Sequence, residues 1–215
     1  GCTRTRATMQ PSPVSRDVSC HLQYRKGETM KFQLMQPGQE TLVIKIVSST
    51  FDEFVAPGYS DDGISEFYKF ANEKDLAKRS QINYFTILAQ KNNVPIGIIE
   101  IRDNSHIAMF FVMKQFQKSG VGKALLQESI NHLLKTQKLL KALTVNASPN
   151  SVEAYKKMGF KSQDKEQNVN GIRFVPMSLL LNLNTDSEYK SLLRTAAGKP
   201  AAPKPKRYLY EKTST

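Results

Sequence analysis

The residues from Gln117 to Gly122, Gln-Lys-Ser-Gly-Val-Gly, have the composition of a phosphate-binding turn. An apolar run from His106 to Met113 precedes them, and Val121, Leu125, Leu126, Ile130, Leu133 and Leu134 follow at three- and four-residue steps. The pattern is that of a buried strand, a glycine-bearing turn and the start of a helix. Such a junction gathers unpaired backbone amides at the positive end of a helix dipole, where an anion is stabilised. Glycine lets the backbone approach that anion with no Cβ between them. A nucleoside-triphosphate loop needs glycine at the place of Gln117 and serine or threonine at the place of Ala124, so that class is disfavoured. The dinucleotide pattern fails as well, because Leu125 holds the position of its third glycine. An ordinary strand-to-helix turn has the same outline, and the turn alone leaves that alternative open.

Two ionisable groups stand on the strands just before this turn. Glu100 lies in Ile-Gly-Ile-Ile-Glu-Ile-Arg, where alternation puts Ile96, Ile98, Glu100 and Arg102 on one face and Gly97, Ile99 and Ile101 on the other. Both faces are largely apolar, as in a strand covered on both sides. A carboxylate there needs a partner or a water-filled cleft. The alternatives are a proton-accepting role and a structural ion pair, with Arg102 the candidate partner. His106 opens the organising strand and, by alternation, shares a face with Ala108, Phe110 and Val112. Its imidazole could take a proton near neutral pH. A hydrogen-bonded structural histidine is the plainer alternative.

The elements that must position these groups fit one domain. With 215 residues, 40% of them hydrophobic, the chain can bury one full core and is too short for two large domains. No apolar run approaches the roughly 20 residues that span a bilayer, and no signal-peptide pattern opens the chain. Cys2 and Cys20 form neither a metal spacing nor a disulfide framework, so no metal site is expected and a reducing, cytoplasmic compartment is. The net charge of +12 is concentrated at the ends, for example Arg4, Arg6 and Arg16, then Lys199, Lys204, Lys206 and Arg207. Residues 198–206, a Pro/Ala/Lys run, cannot bury a core. The ends read as solvated tails, and a nucleic-acid partner is disfavoured.

In order, residues 1–29 are expected to be an irregular extension and Met30 to Gln36 a half-buried strand. A helix follows from Glu40 to Val55, with Leu42, Ile46, Val47, Phe51, Phe54 and Val55 as its apolar stripe. Two short helices are predicted at Ile64–Ala71 and Glu73–Arg79, then a hairpin of strands at Tyr84–Gln90 and Pro95–Arg102. The organising strand and the long helix come next. A strand at Ala142–Ala147 leads through Ser148-Pro149-Asn150 to a helix at Ser151–Lys157, stopped by Gly159. Two strands near Gln167 and at Ile172–Leu181 finish the domain, and residues 183–215 form a basic tail.

Two segments together carry a family resemblance. Gln117-Lys118-Ser119-Gly120-Val121-Gly122 resembles the Gln/Arg-x-x-Gly-x-Gly/Ala signature of the GNAT acetyltransferases. Val145 to Phe160 resembles the family's strand-then-helix block, which closes on Tyr-x-x-x-Gly-Phe, here Tyr155 to Phe160. Both stand in the family's order on the predicted elements, and the likeness covers residues 30–182. It implies an α/β domain, the GNAT fold, with a mixed central sheet flanked by helices. It also implies acetyl-CoA as co-substrate and direct transfer of the acetyl group to a primary amine, on a small molecule or a protein. A homodimer is compatible with it. A catalytically weak CoA-binding sensor or scaffold is the alternative.

By the same resemblance, the backbones of Phe111, Val112 and Met113 pair with the pantetheine arm. The amides of Gln117, Lys118, Ser119, Gly120, Val121 and Gly122, with Lys123 nearby, hold the pyrophosphate, and Ser148 and Ser151 lie beside the cofactor. Tyr155 matches the family tyrosine that protonates the departing thiolate. A phenol near pKa 10 is a reasonable acid for a thiolate near 8.5. A core aromatic is the alternative. In this family a carboxylate on the strand before the organising one often faces the acceptor, which makes Glu100 the preferred base and His106 the reserve. Phe51, Phe54, Tyr59, Phe67, Tyr68 and Phe174 are candidate acceptor-pocket residues. Asp52, Glu53, Asp61 and Asp62 would suit a cationic amine.

Overall fold

Residues 30–136 and 140–181 are described by a computed structural model. The expected extension at 1–29 and the tail at 183–215 lie outside these residues. The alternating segment Met30–Leu34 forms strand β1, and Glu40–Phe54 forms helix α1 with Val43, Ile46, Val47 and Phe51 buried along one stripe. Helix α2, Asp61–Phe70, starts earlier than expected because Ser60 caps it, its Oγ accepting the Gly63 amide at 3.3 Å. Asp61 and Asp62 then sit in the first turn, where the dipole favours them. Asn72 caps α3, Glu73–Arg79, in the same way, accepting the Asp75 amide at 2.9 Å.

Strands β2 (Tyr84–Lys91), β3 (Val94–Arg102) and β4 (His106–Val112) form an antiparallel meander. Asn92-Asn93, both at positive φ, make a two-residue hairpin turn, and Asp103-Asn104, also at positive φ, lie in the three-residue turn between Arg102 and His106. Helix α4, Val121–Thr136, crosses to β5, Ala142–Ala147, which is parallel to β4. After α5, Val152–Lys157, come β6 (Lys161–Ser162), β7 (Gln167–Val169) and β8 (Ile172–Leu180). The sheet order is β1-β2-β3-β4-β5-β8-β6, with β7 paired to β8, and only β4 and β5 run parallel. This is the mixed, helix-flanked α/β sheet expected. The two-residue β6 was not expected; it is too short to show a period.

One apolar cluster fills each face. Ile99, Ile101, Ile107, Val121, Leu125, Leu133 and Val145 pack under α4. Val43, Val47, Leu76, Leu88, Ile98 and Met109 pack under α1 and α3. The chain changes face at a bulge. Glu100 pairs with Met109 while the next residue, Ile101, pairs with Ile107, so Ala108 is an extra residue in β4. Alternation therefore reverses at Ala108, with Ile107 in the α4 cluster and Met109 in the α1 cluster. This corrects the expected facing of His106, which shares its side with Met109 and Phe111 and not with Phe110 and Val112.

Two further features shape the site. β4 pairs with β5 only at His106–Thr144 and Ile107–Val145, and past the bulge the strands part. On the other side of the opening, α2 rests directly on the β7–β8 turn. A Cβ on Gly63 would lie 2.2 Å from the Gly171 carbonyl oxygen, so the backbones touch only because both residues are glycine.

Candidate active site

Where β4 and β5 part there is a cavity of about 800 Å³, bordered by α1, α2, the β4 backbone, the turn before α4, and α5. The turn forms its floor at one end. The Gln117 amide is already used, donating to the Lys114 carbonyl at 3.2 Å. From Lys118 to Lys123 no backbone amide has a partner among the described residues; the first helical bond is Ala124 N–H to the Gly120 carbonyl at 3.0 Å. Lys118 and Gly120 take left-handed conformations, with φ of 58° and 91°, of the kind that make concave anion cradles. Gly120 is thus required by its own backbone. Gly122 is not, since a Cβ there would meet only the Phe110 ring at 3.6 Å and a Val112 methyl at 3.9 Å. Lys118, Lys123 and Lys157 border the same region.

Along β4 the hydrogen-bonding direction decides which main-chain groups face the opening. The Met113 amide donates to the Ile96 carbonyl of β3 at 3.0 Å. Antiparallel alternation then turns Phe111 toward β3 as well and leaves Phe110 and Val112 facing the cavity. Of the expected trio Phe111, Val112 and Met113, only Val112 therefore offers its amide there, and Phe110 joins it. Gln117 reaches back with Nε2 to the Val112 carbonyl at 3.0 Å, tying the strand end to the turn.

Tyr155 stands on α5 with its ring against Phe110 and Phe160, at centroid distances of 6.0 and 5.2 Å. Its ring is buried, yet it borders the cavity and its hydroxyl has no hydrogen-bond partner among the described residues. Burial pushes the phenol well above its ordinary value of 10.0, so it stays protonated and keeps a hydrogen to donate. Ser148 and Ser151 border the cavity from the short turn before α5 and are hydrogen-bonded to each other through their hydroxyls. That turn is a 3-10 segment, Pro149–Ser151, and neither serine caps α5 with its side chain.

The two expected bases separate. His106 borders the cavity. Its Nδ1 is 2.8 Å from Thr144 Oγ1, and that hydroxyl donates to the Ser105 carbonyl at 3.4 Å. The network assigns the hydrogen to Nδ1 and leaves Nε2 as the acceptor. Burial, then the Arg102 charge, bring its pKa down to about 4, so the imidazole is neutral at pH 7. Glu100 does not border the cavity and is 0% exposed. Arg79 holds it through Nε at 2.8 Å and Nη2 at 3.2 Å, gives Nη1 to the Phe70 carbonyl at 2.7 Å, and stacks 4.0 Å from the Phe70 ring. Burial raises the Glu100 pKa and the guanidinium partly offsets this. Glu100 as general base is thus corrected: it lies on the same face of the sheet as His106, but both its oxygens are engaged by Arg79 outside the cavity lining. Its partner is Arg79, not Arg102.

The acceptor side is an aromatic wall. Phe51 and Phe67 stack at 3.6 Å and 6°, and Tyr59 meets Phe51 edge-on at 5.8 Å. With Phe54 these border the cavity, whereas Tyr68 and Phe174 do not. The expected acidic patch is also absent from the lining. Asp52 accepts the Tyr68 hydroxyl at 2.5 Å, Glu53 pairs with Lys114, and Asp61 and Asp62 are exposed on α2. Arg102, read from sequence only as a candidate partner for Glu100, borders the cavity, as does Glu66, which was not singled out and has no sequence signal that a solvated helix face lacks.

The comparisons agree with this layout. Residues 55–181 match the model of the acetyltransferase (GNAT) domain. A GCN5-related N-acetyltransferase from Rhodopseudomonas palustris superposes with a TM-score of 0.61 at 22% identity, over 71% of this chain and 96% of that one. The PaiA N-acetyltransferase from Thermoplasma acidophilum, solved in complex with coenzyme A, gives 0.59 at 20% identity, over 71% and 99%. The ribosomal-protein-S18-alanine N-acetyltransferase from Escherichia coli gives 0.52 at 16%, over 74% and 97%. At these identities the solved structures speak for the fold. Among the described residues no helix is long and apolar enough to cross a membrane.

Proposed function

This chain belongs to the GNAT acetyltransferase family, and from that premise we propose that it moves an acetyl group from acetyl-CoA directly to a primary amine bound against the aromatic wall. One observation carries the reading: the open amides from Lys118 to Lys123 lie at the foot of the parted strands. A diphosphate seated there takes hydrogen bonds that no described residue claims, with Lys118 and Lys123 adding charge. Gly122, which internal packing does not require, keeps the approach free of a side chain. The pantetheine arm of the donor lies along β4 beside Phe110 and Val112, and Ser148 and Ser151 face it from the other bank.

Transfer forms a C–N bond and breaks a C–S bond. The amine gives up a proton and the sulfur leaves as a thiolate that takes one. The Val112 or Phe110 amide is placed to stabilise the carbonyl oxygen as it gains charge. His106, neutral and with Nε2 open, accepts the amine proton directly or through water. Tyr155 donates a hydrogen bond to the departing sulfur. Its raised pKa makes complete proton transfer uphill against a solvated thiolate and nearer balance against one desolvated in the same pocket. The cysteine usage favours a cytoplasmic setting.

The test has two parts. Calorimetry with CoA is expected to show one site per chain, weakened when Gly120 becomes valine. Acetyl-CoA with a panel of primary amines is expected to release free thiol in step with N-acetylated product. Tight CoA binding with no product from any amine would overturn the transferase reading in favour of a CoA-binding module.

A further inference from the structure

The charged groups bordering the cavity are unevenly shared. Arg102, Lys118, Lys123 and Lys157 face one carboxylate, Glu66, among the described residues, and Glu66 is bonded to Lys69 at 3.1 Å. Lys118 and Lys123 belong to the turn at the diphosphate end, and Lys157 stands on α5. Arg102 belongs to neither: it stands across the sheet register from His106, below the aromatic wall. Among the described residues the Arg102 side chain makes no hydrogen bond or ion pair, and its Nε is sealed from water with no partner. The nearby carboxylates are taken. Glu100, on the same strand, is held at both oxygens by Arg79, and Asp103 is bonded to Asn83.

A guanidinium keeps its charge at every physiological pH, and a buried donor with no acceptor is costly. Unlike Nε, Nη1 and Nη2 are not sealed and have no partner among the described residues, and a planar two-oxygen acceptor can take both. We propose that Arg102 is a carboxylate subsite, so that the acetylated amine is an amino acid with an apolar side chain and not a polycationic amine. The inference rests on the acetyl-transfer reading above. The carboxylate sits on Arg102, the side chain lies against Phe51, Phe67 and Tyr59, and the amine is left between His106 and the thioester. Arg102 is a binding and specificity residue here and takes no part in proton transfer.

The same carboxylate chemistry could arrive on the acyl chain of the donor, and the experiment separates the two. Thiol release is measured for phenylalanine and phenethylamine with acetyl-CoA, and for phenethylamine with succinyl-CoA. Phenylalanine with acetyl-CoA is expected to exceed phenethylamine with either donor by at least about tenfold in kcat/KM. Arg102→Gln should lower the phenylalanine value by about ten- to a hundredfold more than it changes the phenethylamine value, with Arg102→Lys between. Succinyl-CoA as the favoured donor would place the carboxylate on the acyl group and overturn the amino-acid assignment. Equal rates for the two acceptors, or an equal loss of both in Arg102→Gln, would overturn the subsite. Binding gives a readout independent of turnover. In calorimetry with CoA present, N-acetylphenylalanine should bind wild type at least about tenfold tighter than N-acetylphenethylamine, a preference that Arg102→Gln removes. If no amine releases thiol, the transfer reading falls, and this binding preference still decides the subsite; its absence overturns it.

Discussion

Replacing Glu100 separates a structural carboxylate from a catalytic one. Both members of its pair are buried, Glu100 at 0% and Arg79 at 8% exposure. Glu100→Ala strands a guanidinium whose Nε and Nη2 lose their acceptors, and removing one partner of such a pair costs about 3–5 kcal/mol. For a domain of this size each kcal/mol lowers Tm by about 2–4 °C, giving a drop of roughly 6–20 °C. Glu100→Gln keeps one oxygen for Arg79 and is expected to cost about 1.5–3 kcal/mol. The apolar double replacement Arg79→Met with Glu100→Leu should recover most of that loss, because neither charge is left alone. Urea unfolding supplies the free energies, and initial rates at saturating acetyl-CoA, taken well below the melting range, supply kcat against pH. The expected result is a large stability loss with a pH profile of unchanged shape. Unaltered stability with loss of the ascending limb of the pH profile in Glu100→Gln would refute the reasoning and restore Glu100 as the base.

Other outcomes follow from the same geometry. Tyr155→Phe removes one hydroxyl that has no hydrogen-bond partner among the described residues, so kcat should fall by about 10²-fold with little change in Tm or in the KM for acetyl-CoA. His106, with its pKa lowered to about 4, should show no imidazole titration near 6.5 by NMR. The sign for stability follows: between about pH 6.5 and 4 the unfolded chain binds the proton and the folded one does not, so stability falls as pH falls through that window, and His106→Gln flattens the slope. Gly63→Ala drives a methyl toward the Gly171 carbonyl; acceptor turnover should drop at least about tenfold while CoA affinity, measured by calorimetry, holds within about twofold. Gly120→Val strains a φ of 91° and should weaken CoA by about tenfold or more.

The elements and their order were legible because their periods are strong and their stops are chemical. The stripe of α1, the Asn-Asn and Asn-Gly turns and the change from strand to helix at Val121 are all local. What decides the site is not local. The extra residue at Ala108 reverses the facing of everything before it in β4, and it exists only in the register between two strands. Glu100 was legible as a carboxylate needing a partner, but that partner stands 21 residues away on another element. Arg102 reads from sequence as a possible partner for Glu100; its isolation appears only once Arg79 has taken that carboxylate. The anion turn was the easier case, because its amides are left open by the geometry of any helix start. Even there, the loss of the Gln117 amide to Lys114 needed coordinates.

The short contact between β4 and β5 has a mechanical consequence. Two residue pairs join the meander to the strands that follow, and beyond them the main-chain groups of Phe110 and Val112 have no neighbouring strand to bond. A linear amide-bearing molecule laid in that gap acts as a short extra strand and closes the ladder across the breach. Substrate and scaffold are then one hydrogen-bonded unit, and the arrival of the donor should stiffen both halves together, slowing amide exchange at Phe110, Val112 and Asn146 in concert.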